Sequence, residues 1–185
     1  MKLKSIAASV VFMFALSCSN STEQTPVVQN ETPSAEPAGQ SGVKDDDSQK
    51  NVVQIAVGSP DHTTLVTAVK AADLVDALSN AGPFTVFAPT NAAFEKLPKG
   101  TVEGLLKADK KEDLRNILQY HVTLGVFKTE NLTDGLVLGQ VNGDNATIHV
   151  KDGKVFINDA QIIASVPAAN GIVHIIDGVI TPPAK

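Results

Sequence analysis

The sequence predicts an α+β domain, in which helices come first and strands come late. Three observations carry this. Apolar residues recur at steps of three and four between Thr64 and Leu78 and again around Leu114 to Leu118, a helical spacing. After Tyr120 the pattern changes to short runs of strand-forming residues separated by turn residues, with Asp152-Gly153 between two of them. Gly171-Ile172-Val173-His174-Ile175-Ile176-Asp177 is an almost unbroken apolar run, which suits a central strand covered on both faces. Helices and strands are segregated along the chain rather than alternating, so a doubly wound α/β sheet is not expected.

The order of elements begins with an address. Lys2 and Lys4 precede an apolar run from Ile6 to Leu16, about 11 residues and well short of the ~20 a membrane-spanning helix requires. That is the form of a signal peptide. The run closes on Ala15-Leu16-Ser17-Cys18, which resembles the lipobox of bacterial lipoproteins, and Cys18 is the only cysteine in the chain. Residues 1–18 are therefore read as a signal peptide with Cys18 as the lipidated residue. Two or three acyl chains there would hold the protein on a membrane, since each buried methylene contributes ~0.8 kcal/mol and one chain alone binds marginally. The resemblance implies an envelope lipoprotein, and Ser19 in place of Asp favours the outer membrane, with the face left open. Ala15 stands where that motif favours Leu, so cleavage near Ser17 and a secreted product is the alternative.

Residues 19–50 are rich in Ser, Thr, Gln, Asn, Glu, Pro and Gly and read as a disordered tether. A coil of that length spans about 30 Å. Asp45-Asp46-Asp47 lacks the spaced, turn-held geometry of a calcium loop.

Residues 51–185 form the folded domain. The spacing of Leu65, Val66, Val69, Leu74, Val75 and Leu78 predicts one amphipathic helix, stopped by Gly82-Pro83. Phe84 to Ala88 is a short strand ended by Pro89, and Thr90 or Asn91 caps the helix carrying Phe94 and Leu97. Asp109 and Glu112 have the spacing of a capping box ahead of a helix that ends near Gln119. Tyr120-His121-Val122 opens an extended stretch. Thr147–Val150 and Val155–Ile157 form a hairpin around Asp152-Gly153, with Ile148 and Val150 on one face and Thr147 and His149 on the other.

Composition removes several function classes. A net charge of −5 and an aromatic content of 4 %, with no Trp, argue against a nucleic-acid partner. No Gly-x-Ser-x-Gly element and no phosphate-cradling glycine loop occurs, so neither an enzyme nor a cofactor is expected. His121 and His174 are the two histidines placed for chemistry, but no His/Asp/Glu grouping has metal-ligand spacing, and both are read as held by internal hydrogen bonds. His62 and His149 are read as solvated. Asp177 is expected beside Thr90, its carboxylate locking two segments together.

Three ordered blocks resemble the fasciclin (FAS1, beta-Ig-h3) domain family. Phe84-Thr85-Val86-Phe87-Ala88-Pro89-Thr90-Asn91-Ala92-Ala93-Phe94 is similar to its first signature block, Tyr120-His121-Val122 to its Tyr-His segment, and Asn170 to Ile180 to its second signature block. The resemblance covers about Val52 to Pro182. It implies a seven-stranded β wedge or sandwich with a helical layer along one edge, in which Phe84, Pro89, Thr90, Phe94, His174 and Asp177 are structural motif residues. It also implies a non-catalytic module for adhesion or protein–protein interaction, with Tyr120 and His121 as the adhesion motif. The partner expected is an unidentified protein or polysaccharide at the cell surface. A glycan or small-ligand binding domain, using the polar loops from Thr129 to Asn145, is the alternative.

Overall fold

The computed structural model describes residues 49–98 and 100–183. The expectations for the signal peptide, Cys18 and nearly all of the tether lie outside the described residues. Among the described residues the elements are α1 (Val52–Val57), α2 (Thr63–Ala71), α3 (Val75–Ser79), β1 (Phe84–Pro89), α4 (Asn91–Glu95), α5 (Thr101–Leu105) and α6 (Lys111–Tyr120). These are followed by β2 (Val122–Leu124), β3 (Val137–Gly139), β4 (Asn145–Lys151), β5 (Lys154–Ile157), β6 (Ala160–Ala168) and β7 (Gly171–Ile176). Apart from β1, the helices do come first and the strands last, and the α+β class holds.

The strands form one sheet in the order β2-β1-β7-β6-β5-β4-β3. Every neighbour is antiparallel except β1 and β7, which run parallel with Phe84 opposite Gly171 and Pro89 opposite Ile176. The two edge strands curl toward each other. Thr123 bridges Gln140, and the Val141 N–H donates to the Val122 carbonyl at 2.8 Å, so the sheet is nearly closed into a barrel.

Alternation along the strands divides the core in two. Phe87, Tyr120, Leu138, Ile148, Ile157 and Ile176 fill the inside of the curl. Ala88 and Val173 face outward and pack under Val52, Leu65, Ala68, Leu114 and Leu118 of the helices. β7 is thus covered on both faces, as its apolar run implies. The hairpin also forms as its sequence dictates: Asp152 and Gly153 have φ of 51° and 72°, and Lys151 pairs with Lys154. Ile148 is fully buried on the expected face, whereas Val150, nearer the tip, is 38 % exposed.

The helical half departs from expectation. The single helix expected over 64–78 is two, α2 and α3, divided at Asp73, whose φ is 54°. The Leu74 N–H reaches the Val69 carbonyl and the Asp73 N–H the Lys70 carbonyl, the paired bonds that close a helix on a left-handed residue. Asp73 takes the place usual for glycine, a left-handed conformation that Asp tolerates better than most residues; its carboxylate pairs with Lys111 of α6, and Arg115 donates to the Ala72 carbonyl at 3.1 Å. The expected capping box at Asp109 does not form. A 3-10 turn over Ala108–Lys110 already leads into α6, whose N-cap is Lys110, and Glu112 and Asp113 instead sit in the first turn, where the helix dipole favours acids. A capping box does form at α1: Asn51 accepts from the Gln54 N–H and Gln54 accepts from the Asn51 N–H.

The turn between β6 and β7 joins four parts of the chain. The Asn170 side chain accepts from the Val52 N–H at 2.9 Å and donates to the Leu78 and Asn80 carbonyls, both at 2.8 Å. Its own carbonyl accepts from the Phe84 N–H at 3.0 Å. Beside it, a Cβ on Gly171 would lie 1.9 Å from the Phe84 carbonyl oxygen, so β1 can approach only a glycine.

Gly171→Ala is therefore expected to cost more than about 3 kcal/mol, read as a fall in the urea midpoint, because backbone rather than a flexible side chain must move. Gly143→Ala, at φ 90° but in open space, should cost only about 1–2 kcal/mol.

Candidate functional site

The Tyr-His segment lies inside the fold. Tyr120 ends α6, is 2 % exposed, donates its hydroxyl hydrogen to the Asn145 carbonyl at 2.8 Å and accepts from Asn158 Nδ2 at 3.0 Å. His121 follows, 3 % exposed, with Nδ1 on the Ile117 carbonyl at 2.8 Å and Nε2 accepting from the Ile180 N–H at 3.3 Å. The two bonds fix one neutral tautomer. Burial drives its pKa down to about 4. An adhesion motif made of these two side chains would have to offer them to a partner, and neither is offered. The same segment turns outward only further on, at Leu124 (65 % exposed) and Val126 (46 %).

His174 is fully buried in β7. It stacks on Phe87 with ring centroids 5.5 Å apart, its Nε2 meets the Phe127 carbonyl at 2.7 Å, and its Nδ1 meets Ser165 Oγ at 2.6 Å. Ser165 is in turn 2.8 Å from the Thr129 hydroxyl. Burial lowers the pKa of this ring too. His174 thus ties β6, β7 and the chain beyond β2, with partners separate from those of His121, and no group of three or more metal-ligating side chains exists among the described residues. His62, expected in solvent, is instead 4 % exposed in the turn before α2, with Nδ1 on Ser59 Oγ at 2.8 Å and its pKa lowered by burial. A proline-led 3-10 turn, invisible as a periodic pattern, folds it inward. His149 is half-buried.

The first signature block builds a corner. Phe84 starts β1, Pro89 ends it fully buried, and Thr90 caps α4 by accepting from the Ala93 N–H at 3.2 Å. Asn91, read only as a second possible cap, is a staple: its side chain accepts from the Thr64 N–H at 3.0 Å and donates to the Pro60 carbonyl at 3.0 Å, joining α4 to the start of α2. The signal available was the Thr-Asn pair itself, since one amide carries both donor and acceptor.

Asp177 does not bond to Thr90 through its carboxylate. Its Oδ1 accepts from the Gln161 N–H at 2.8 Å, pinning β6 where the β6–β7 register shifts, and its Oδ2 lies 3.4 Å from Lys96. Thr90 reaches the second block by backbone, its N–H donating to the Ile176 carbonyl at 3.3 Å. Lys96 Nζ adds a 2.6 Å bond to the Asp177 carbonyl. The two blocks are joined, but by main chain and a lysine just past α4.

Phe94 points elsewhere. With Pro89, His121, Leu118, Val102 and Val179 it lines a cavity of about 80 Å³ between α4, α5, α6 and the segment after β7. An open cleft of about 520 Å³ adjoins it across Phe94, Leu97 and Val102.

Residues 60–182 match the family model of the Fasciclin domain. The chain belongs to the fasciclin domain family. It is 52 % identical over 138 residues to Protein sll1483 of Synechocystis sp., covering 74 % of this chain and 76 % of that one. Cell surface glycolipoprotein MPB83 of Mycobacterium bovis is 38 % identical over 143 residues, 75 % of this chain and 63 % of its own length. Transforming growth factor-beta-induced protein ig-h3 of Sus scrofa is 36 % identical over 135 residues, 72 % of this chain but 20 % of its own. Among solved structures, a FAS1 domain pair from the insect cell adhesion molecule fasciclin I matches with a TM-score of 0.64 at 19 % identity, over 71 % of this chain and 51 % of that one. The seven strands and the helical layer are thus the FAS1 fold.

The buried histidines give the domain a pH dependence of known sign. A folded-state pKa of about 4 against 6.5 means that His121 takes up a proton on unfolding between those values. Its contribution is complete above pH 6.5 and is lost as the pH falls toward 4, about 3 kcal/mol in all. His62 and His174 act in the same direction. The urea midpoint should fall across that window, and the His121 ring resonances should stay at their neutral positions in an NMR titration down to about pH 5.

Proposed function

We propose that this chain is an envelope-tethered, non-catalytic fasciclin domain that acts by protein–protein contact in adhesion. The observation that carries the reading is an apolar surface at the seam of the sheet. Leu124 alternates with Thr123, and Val137 and Val141 alternate with Leu138 and Gln140; the second residue of each alternation is turned inward and buried, and Val122 is buried as well. Outside the seam this leaves Leu124, Val137 and Val141 at 65, 54 and 43 % exposure on two facing segments, and Val126, two residues past Leu124, is exposed too. Adjacent exposed apolar side chains on a small domain mark a contact surface. Relatives whose names include a cell surface glycolipoprotein and a cell adhesion molecule support the same reading.

Catalysis has little to work with. Both ring nitrogens of His121 and of His174 are engaged by internal partners, and burial keeps the rings neutral. The glycan alternative rests on the polar loops from Thr129 to Asn145, where Glu130, Asn131 and Thr133 are exposed while some other side chains are engaged within the domain. Asp134 accepts from the Val150 N–H, and Asn142 bonds Asn116 and Asp144.

Leu124→Asp is expected to leave the melting temperature within about 2 °C, as surface changes do, and to reduce attachment of protein-coated beads to cells of the producing strain several-fold. Val150→Asp at the hairpin tip should not. Equal attachment by both variants and the parent would remove the seam as the contact surface. Tethering is tested separately: Cys18→Ser should move the protein from the membrane fraction to the medium or periplasm, and mass spectrometry of the parent should find an acylated Cys18 as the first residue.

A further inference from the structure

All three blocks that carry the family resemblance meet at one space, the cavity beneath α5. Pro89 and Phe94 come from the first block, His121 from the Tyr-His segment and Val179 from the second block. Its walls are hydrocarbon almost throughout. His121, the one ring among them with polar atoms, has both nitrogens engaged by Ile117 and Ile180, so it turns no free donor or acceptor inward. The volume, about 80 Å³, exceeds the ~10–15 Å³ that admits a water. A space without polar partners does not hold water well; it stays dry and accepts apolar guests. It is also below the ~300–1,000 Å³ that encloses a drug-sized ligand whole. The fit is to the end of a chain.

The side toward solvent is thinly closed. α5 has five residues, none of them buried, no side-chain cap, and an N-cap at Gly100 with φ of 85°. Val102, Leu105 and Leu106 stay half-exposed although they face an apolar space. Across Phe94, Leu97 and Val102 lies the open cleft, where Thr64, Asn91, Glu95 and Glu103 add polar groups to the apolar wall, the two glutamates being its charged side chains among the described residues. A dry hydrocarbon pocket beside an open cleft that carries two carboxylates suits a single-chain amphiphile whose head is uncharged or cationic.

We propose that the cavity binds the end of one unbranched hydrocarbon chain of such an amphiphile, the head resting in the cleft and α5 moving to admit it. The site is independent of the adhesion reading and of any anchor on Cys18.

The test uses the full chain carrying Cys18→Ser, so that no attached lipid competes, purified without detergent. N-phenyl-1-naphthylamine fluorescence should rise saturably and be displaced by dodecanol and by dodecylamine, and several-fold less well by dodecanoate. Ala68→Phe, which fills the cavity wall from α2, should weaken both probe binding and displacement at least tenfold in protein whose cooperative unfolding shows that it is folded. If that variant does not fold, Val102→Asp, on the half-exposed lid, should do the same by placing a charge at the mouth. Glu103→Lys should raise the affinity for dodecanoate. No saturable probe signal, or an equal signal in the folded cavity variant, would overturn the site. Equal displacement by dodecanol, dodecylamine and dodecanoate would overturn the placement of the head.

Discussion

The parallel pairing of β1 with β7 is the constraint around which this domain is arranged. Parallel neighbours need a crossover, and here the crossover is most of the domain: α4, α5, α6 and β2 to β6 all lie between the two strands in sequence. Such a long-range contact forms only when its ends fit without adjustment. Gly171 permits the approach of the Phe84 backbone, and Asn170 beside it satisfies one backbone donor and two backbone acceptors from three other places. A buried amide with every bond made specifies one arrangement, whereas a partly satisfied one would be a cost. The second signature block therefore determines where α1, α3 and β1 begin or end, as well as contributing a strand.

This explains which parts of the fold were legible in the sequence. The hairpin at Asp152-Gly153 was readable because the turn demands two residues of positive φ and the local sequence supplies them. β7 was readable because burial on both faces requires an unbroken apolar run, and α6 because Leu114 and Leu118 share a face. The division of α2 from α3 was not readable. Asp tolerates the left-handed conformation but does not require it, so the local sequence leaves the break open; the contacts of Lys111 with Asp73 and of Arg115 with the Ala72 carbonyl come from some forty residues on. β3 and α5 are too short for a period to show, and α1 was missed although Asn51 and Gln54 have capping-box spacing.

The site shows the same division between local and distant causes. That His121 and His174 are held by internal bonds follows from their segments being core elements, and both are. That Tyr120 and His121 are closed to a partner does not follow from the string Tyr-His, since the end of a helix can turn either way. The direction is set by the Asn145 carbonyl and Asn158 side chain waiting for the hydroxyl, and by the Ile180 N–H waiting for the imidazole. Asp177 was placed correctly near the first block but assigned the wrong bond, because a register shift in β6, unseen in sequence, presents the Gln161 N–H to it first.

If the recognisable strings are framework, differences between fasciclin domains in what they contact must reside in the residues between the strings. In this chain those are the apolar side chains of the seam and the lid over the cavity. One residue lies in the wall of the cavity and next to the seam strand. His121 forms part of the cavity wall, directly precedes β2, and gives its carbonyl to the Phe87 N–H at 2.9 Å. A guest in the cavity leans on that ring, but four hydrogen bonds hold His121 to α6, β1 and the segment after β7. Coupling requires that a ligand favour one of two arrangements of the element between the sites, and a residue held from three sides has a single arrangement. α5, with no buried residue, is free to respond instead. The architecture thus favours a cavity that fills without disturbing the seam, so that ligand and partner binding would be carried independently by one small domain.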